Sequence, residues 1–177
     1  MRARRLPLVT LLTLLAGCGG DGPFGNSSGG VFMSARIGNE EWEAGSWQHW
    51  PVTGLYHRET DPRFFAISGV GVVGEDRWEI GLYIPASEGT HSLALTGHSG
   101  FVVYRVLGGA GNGYGSTHYT PDSLDPGTVS LTLWDPEHRI IEGSFSLSAR
   151  EDGTDEKVMM TGGRFRVRYD DPPGPQR

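Results

Sequence analysis

The densest group of side chains suited to ligand binding in this sequence is a set of aromatic and imidazole rings. Trp47, His49, Trp50 and Tyr56 fall in residues 45–62, a segment without a regular apolar period and with several Pro and Gly residues. On a loop above a rigid scaffold, such rings stack on sugars or grip apolar ligands. The alternative is that they cap one open end of a hydrophobic core. The cap is the favoured interpretation, and these four residues are the candidate ligand-binding site if they remain exposed.

A metal site is suggested by three acidic or imidazole side chains in the same segment. His57, Glu59 and Asp61 alternate in sequence, so on an extended backbone they would share one face and offer metal-ligand chemistry. However, Arg58 and Arg63 add competing positive charge, and no second cluster has matching spacing. We therefore predict a solvated loop, with no bound metal.

Two histidines next to proton-transfer partners invite an acid–base interpretation. His118 precedes Tyr119, and Asp135 lies three residues before His138. No serine or cysteine nucleophile near either pair belongs to a recognisable motif such as Gly-x-Ser-x-Gly. The glycine-rich residues 108–113 lack the Lys-Ser/Thr of a phosphate-binding loop. We predict that the protein is not an enzyme and has no cofactor, and a hydrolase is the least favoured alternative.

The elements that would carry these residues are β-strands, because the apolar period is two rather than 3.6. No window of helical length has an amphipathic stripe. The pattern predicts an all-β fold, either an antiparallel β-sandwich or an up-and-down β-barrel, with a lipocalin-like closure left open. The clearest alternation puts these residues on one face of a strand: Trp78, Ile80, Leu82 and Ile84.

The most regular stretch is a hairpin in residues 127–149. Its first strand should bury Val129, Leu131 and Leu133, and residues 135–138 should form the turn. In its second strand the predicted buried residues are Ile141, Phe145, Leu147 and Ala149, and the predicted outward residues are Glu142, Ser144, Ser146 and Ser148. We interpret residues 45–62 as a long loop, and expect Gly69 and Gly71 to bulge or thin a strand over residues 64–73.

The N-terminus has the layout of a secretory signal, with Arg2, Arg4 and Arg5 before an apolar run over residues 6–17. This run is shorter than the roughly 18 to 20 residues that cross a membrane as a helix. Leu-Ala-Gly-Cys, ending at Cys18, resembles the bacterial lipobox. The resemblance implies cleavage before Cys18 and lipidation of that cysteine, which would anchor the protein in the cell envelope. Gly19 resembles an outer-membrane sorting signal, although the membrane face is left open.

Four regions follow from this organisation. They are a signal peptide (1–17), the lipidated Cys18 with a flexible tether (18–30), one all-β domain (31–169) and a disordered tail (170–177). Loss of the three signal arginines would leave 12 basic and 21 acidic residues, a net charge of −9. This balance argues against nucleic acid as a partner.

A wider resemblance is carried by both ends of the domain. Residues 32–44 read as an alternating strand, a Gly38-Asn39 turn and Trp42, and residues 127–146 and 162–165 read as closing strands. These segments resemble a family of small bacterial lipoproteins classed as a domain of unknown function. The resemblance implies an all-β lipoprotein, with no activity or site residues to transfer.

The function expected from the sequence is a lipid-anchored, non-catalytic binding or structural domain of the envelope. Candidate partners, besides the membrane through Cys18, are a glycan, an apolar small molecule or an envelope protein. A lipocalin-like carrier of a small apolar ligand is the alternative. A hollow interior would favour the carrier, and a filled one with exposed aromatic rings would favour the binding domain.

The anchor can be tested by replacing its only lipid-bearing side chain. Cys18→Ser should abolish labelling by a fatty-acid analogue and leave uncleaved precursor, because the lipid is attached through the cysteine sulfur. Metabolic labelling followed by electrophoresis checks this. Equal label on wild-type and variant protein would contradict the lipobox interpretation.

Overall fold

The computed structural model describes residues 30–45, 51–94, 99–108 and 115–171. These residues form an all-β structure, as predicted, in which one antiparallel sheet curls into a half barrel. No helix in this part of the chain is long and apolar enough to cross a membrane. The eleven strands are β1 Phe32–Ile37, β2 Glu40–Glu43, β3 Thr53–His57, β4 Phe64–Val73, β5 Asp76–Pro85, β6 Gly89–Ser92, β7 Gly100–Val106, β8 Ser116–Pro121, β9 Gly127–Asp135, β10 Ile140–Glu151 and β11 Lys157–Arg168.

The sheet order is β2-β1-β11-β10-β8-β7-β5-β4-β3, and it branches at β10. The first part of β10 pairs with β9, which in turn pairs with β6, whereas its last residues pair with β8. The outer edge of β3 is hydrogen-bonded to Asp170, two residues after the end of β11. The N–H of Tyr56 donates to the carbonyl of Asp170 (2.8 Å), and the N–H of Asp170 donates to the carbonyl of Gly54 (2.9 Å).

The interior is filled by one hydrophobic cluster, and each of its members is at most 9% exposed. Trp42 of β2 is fully buried, and its Nε1 donates a hydrogen bond to the backbone carbonyl of Trp78 (3.3 Å). The strand β2 lies close over β4 at Gly69 and Gly71. A Cβ at Gly71 would come within 2.3 Å of the Glu43 carbonyl oxygen, so only glycine permits this approach.

The predicted alternation is confirmed in most strands. The inward residues of β5 and β10 are buried as expected: Trp78, Ile80, Leu82, Ile84, Ile141, Phe145, Leu147 and Ala149. Ser144 and Ser146 face outward and are exposed.

Three details of the sequence interpretation are wrong. Residues 45–62 contain a strand, β3, whose inward positions are Gly54 and Tyr56; the glycine hides the period. In β9 a bulge opposite Glu142 and Gly143 shifts the register, so Leu133 is 37% exposed while Trp134 packs against the core. A one-residue insertion exchanges the faces of a strand.

The third detail concerns Ser148. The sequence predicts that Ser148 faces solvent, but it is only 3% exposed. The segment around Asp122 and Pro126 covers it and is hydrogen-bonded to its backbone. The strand β4 pairs with β5 in unbroken register through Gly69 and Gly71. The expected bulge at these glycines is therefore absent, whereas the expected thinning is present, because both glycines make room for β2.

The two faces of β10 provide a direct test of the register. Phe145→Ala should lower the free energy of unfolding by roughly 3 to 5 kcal/mol, since it removes a buried aromatic ring. Ser146→Ala, at the exposed neighbouring position, should change it little. Urea denaturation of both variants checks this, and a larger loss for Ser146→Ala would contradict the register.

Candidate functional site

The four candidate binding residues divide into two groups. Trp47, His49 and Trp50 lie outside the described residues, as do Cys18 and the rest of the signal peptide and tether before Gly30. Tyr56 is 9% exposed and stacks on Phe65, with ring centroids 4.8 Å apart. Its ring also meets Trp134 and Tyr169 edge-on. Tyr56 is therefore part of the hydrophobic core and is not available to a ligand at the surface.

Two of the three side chains considered as metal ligands, His57 and Glu59, contact other residues. The His57 ring stacks on Phe64 at 4.3 Å with an interplanar angle of 7°. Glu59 lies 3.4 Å from Arg58. In the described parts of the chain, no three His, Cys, Asp or Glu side chains come together to form a potential metal site.

The two histidine pairs stabilise turns and strand ends. His138 Nδ1 lies 2.7 Å from Asp135 Oδ2, while Asp135 Oδ1 accepts the N–H of Glu137 and of His138. These hydrogen bonds lower the pKa of Asp135, and the bond from the backbone N–H of His138 has the largest effect. The side chain of Asp135 thus closes the β9–β10 turn, which is the usual role of an aspartate at the start of a turn.

The second histidine reaches a residue far away in sequence. His118 Nδ1 lies 2.6 Å from Asp152 Oδ2, and the Thr120 hydroxyl donates to Asp152 Oδ1 (3.1 Å). The bond from His118 is the main cause of a lowered pKa at Asp152. On its other side, His118 stacks against Tyr104, with ring centroids 4.8 Å apart. The acidic partner therefore fixes an aromatic pair on the outer face of the sheet.

That outer face contains the best candidate site, a groove across β3, β4, β5 and β7 with a volume of about 380 Å³. This volume falls within the roughly 300–1,000 Å³ range of small-molecule sites. The floor is made of small or short side chains because Ser68 pairs with Gly81, which pairs with Val102, while Ala66 lies in the next row. We call this feature the outer-face groove.

Two tyrosines border the outer-face groove. Tyr83 is 37% exposed and Tyr104 is 42% exposed. Each contacts a second ring, since Phe64 packs against Tyr83 (6.1 Å between centroids) and His118 stacks on Tyr104. The register places Tyr104 opposite Glu79, four residues before Tyr83 on β5, so the tyrosines are about 13 Å apart along the strand.

Polar groups are few in the groove. The Thr53 and Ser68 hydroxyl oxygens are 2.9 Å apart and exposed. Glu79 is the charged residue among the described side chains of the lining, and Leu55 adds an exposed apolar group. Apolar walls with a few convergent polar groups are characteristic of ligand sites.

A second cleft, of about 520 Å³, lies at the rim of the barrel near the start of β5. Asp76 accepts hydrogen bonds from Arg105 Nε (2.7 Å) and from the Gly108 N–H (2.9 Å). Burial raises the Asp76 pKa, but these two bonds outweigh it and the net shift is downward. Arg105 also lies over the Trp78 ring at 5.3 Å. Because the charges of Asp76 and Arg105 neutralise each other, we interpret these residues as a link between β5 and β7 rather than as a ligand site.

Sequence reasoning missed the groove tyrosines as site residues. The period of two does place Tyr83 on the same face as Glu79 and Gly81. That signal predicts an outward side chain, but not its neighbours on β4 and β7. Only the pairing of β5 with both β4 and β7 brings Tyr83, Ala66 and Tyr104 to one groove.

Comparisons with protein-family models, with curated proteins and with solved structures return no match to this chain. The lipobox and the resemblance to small bacterial lipoproteins remain predictions.

The support for Tyr104 can be tested through Asp152. A carboxyl group whose pKa is lowered by folding contributes stability above its unfolded pKa of about 3.9, and this contribution is lost as pH falls through the folded pKa. Asp152→Asn should therefore destabilise the protein at pH 7 and have a smaller effect at pH 3. Urea denaturation at both pH values checks this. Asp155→Asn, at a fully exposed carboxylate nearby, is the control; an Asp152→Asn effect independent of pH would contradict the assignment.

Proposed function

We propose that this protein is a lipid-anchored, non-catalytic binding domain of the bacterial cell envelope, and that the outer-face groove is its contact surface. The groove is the observation that carries the proposal. It combines a ligand-sized volume, an apolar floor and two partly exposed tyrosines on the face of the sheet that the core does not use. Exposed aromatic rings in a concave patch are typical of binding surfaces.

The anchoring part of the proposal rests on the sequence. A lipid on Cys18 would hold the domain at the envelope, with the outer membrane as the proposed location. Residues 19–30 are rich in Gly and Ser. A flexible tether of this length spans about 20 Å root-mean-square. The groove could then reach ligands attached to, or lying beside, the membrane surface.

The packed interior supports surface binding over the carrier alternative. A lipocalin-like carrier needs a cavity inside the barrel. In the described structure that space holds large side chains such as Trp42, Phe65 and Phe101, each fully buried. An apolar ligand would have to displace them, and loss of their packing would cost stability.

A contribution of Trp47, His49 and Trp50 to binding is a separate hypothesis. The described residues on either side of this segment are attached to β4, because the Gly45 N–H donates to the Val70 carbonyl (2.8 Å) and Thr53 pairs with Ser68. Ser68 and Thr53 also line the outer-face groove. This shared attachment is the reason for testing Trp47, His49 and Trp50 alongside the groove.

A groove-filling variant tests the proposed contact surface. Ala66→Phe should reduce association with bacterial envelope fragments roughly tenfold or more, because the added ring occupies the floor. Ser146→Phe adds the same ring to the exposed face of β10 and should leave association unchanged. The assay is co-sedimentation with detergent-insoluble envelope fragments, and the purified full chain is kept in detergent so that the anchor does not contribute.

Stability must be measured on the same samples. Equal association of the wild-type protein and a folded Ala66→Phe variant would contradict the groove as the contact surface. Trp47→Ala, His49→Ala and Trp50→Ala in the same assay test whether the neighbouring segment takes part.

A further inference from the structure

We infer that the outer-face groove recognises a neutral glycan, as a short run of sugar units lying along β5 between the two tyrosines. The inference rests on the proposed function and specifies its ligand class. It follows from the placement of the rings, the shape of the floor and the charges of the lining.

The two tyrosine rings of the groove are suited to contacts with sugars. A pyranose presents an apolar C–H face that packs against an aromatic ring, and rings already fixed in place lose little side-chain entropy on binding. Tyr83 is supported by Phe64, which is itself stacked on His57. Tyr104 is supported by His118, which the bond to Asp152 holds in place. Both tyrosines are therefore preorganised before any ligand arrives.

The floor of the groove determines which shape of ligand fits it. Gly81 lies between the tyrosines, with Ser68 opposite it on β4, and Ala66 lies opposite Tyr83. These short side chains leave an elongated depression about 13 Å from one tyrosine to the other. Such a depression suits an extended chain of rings that contacts a tyrosine at each end better than it suits one compact molecule.

The charges select among glycans. The described lining has one carboxylate, Glu79, and no basic side chain, while the predicted mature chain has a net charge of −9. An acidic sugar would meet like charge without a compensating cation. A neutral sugar instead supplies hydroxyl donors to Glu79, and both donors and acceptors to the Thr53 and Ser68 hydroxyls.

An acyl chain is the main competing apolar ligand. It would cover the tyrosines, but it would also cover Glu79 and the Thr53–Ser68 hydroxyl pair without bonding to them. Polar groups that lose water and gain no partner reduce affinity. The same polar groups favour a ligand that carries a hydroxyl on nearly every carbon.

The test uses the full chain in a detergent without a sugar headgroup. The probes are three neutral trisaccharides, maltotriose, cellotriose and triacetylchitotriose, with trigalacturonate as the acidic counterpart. Calorimetry gives Kd, and saturation-transfer NMR from the protein aromatic protons identifies the sugar protons in contact. At least one neutral trisaccharide should bind more tightly than trigalacturonate, with saturation reaching its C–H protons.

Variants locate the site. Tyr83→Ala and Tyr104→Ala should each raise Kd roughly tenfold, the loss expected for one stacked ring. Tyr104→Phe keeps the ring and should stay within about twofold of wild type. Leu133→Ala removes a side chain as exposed as Tyr83, at 37%, from a different part of the sheet, and should have no effect.

Three results would overturn the inference: no trisaccharide binds, trigalacturonate binds as tightly as the neutral sugars, or both tyrosine-to-alanine variants bind normally. Failure of the glycan inference can be distinguished from failure of the proposed function. If no sugar binds but Ala66→Phe still weakens envelope association, the groove is a contact surface for another ligand class. If neither effect is seen, both proposals are wrong.

Discussion

The burial of Trp42 between the two sides of the curled sheet is the constraint on which the rest of the fold depends. A tryptophan buries a large apolar area, and its N–H needs an acceptor once it is removed from water. The Trp78 carbonyl supplies that acceptor, and Gly69 and Gly71 supply the space. Because of this contact, β1 and β2 can cover the inner face of β4 and give the half barrel a filled interior.

The filled interior determines where ligands can bind. Since the inward positions of β4, β5 and β7 are used by the core, a ligand can reach these strands at their outward positions. The small outward residues Ala66 and Gly81 make that surface concave, and Tyr83 and Tyr104 make its ends aromatic. The same alternation thus produces a rigid core on one face and a groove on the other.

Three carboxylates in the described chain hold turns and strand ends in place. Asp152 fixes His118 behind Tyr104, Asp135 closes a turn, and Asp122 is a nearly buried carboxylate bonded to Lys157 (2.9 Å). Each of these carboxyl groups has a lowered pKa. The largest cause is the hydrogen bond with His118 for Asp152, the backbone N–H of His138 for Asp135, and the hydrogen bond with Lys157 for Asp122. The two histidines that look suited to acid–base chemistry in the sequence thus make contacts that support a turn and a strand end.

The sequence by itself determined the all-β class and the faces of most strands, because side chains alternate with a period of two whatever the strands pair with. It could not determine the bulge that turns Leu133 outward and Trp134 inward, nor detect β3, where Gly54 occupies an inward position. The groove depended wholly on tertiary structure. Tyr83 and Tyr104 come together only through the pairing of β5 with β7, and such long-range register is set by the packing of the whole sheet rather than by local sequence.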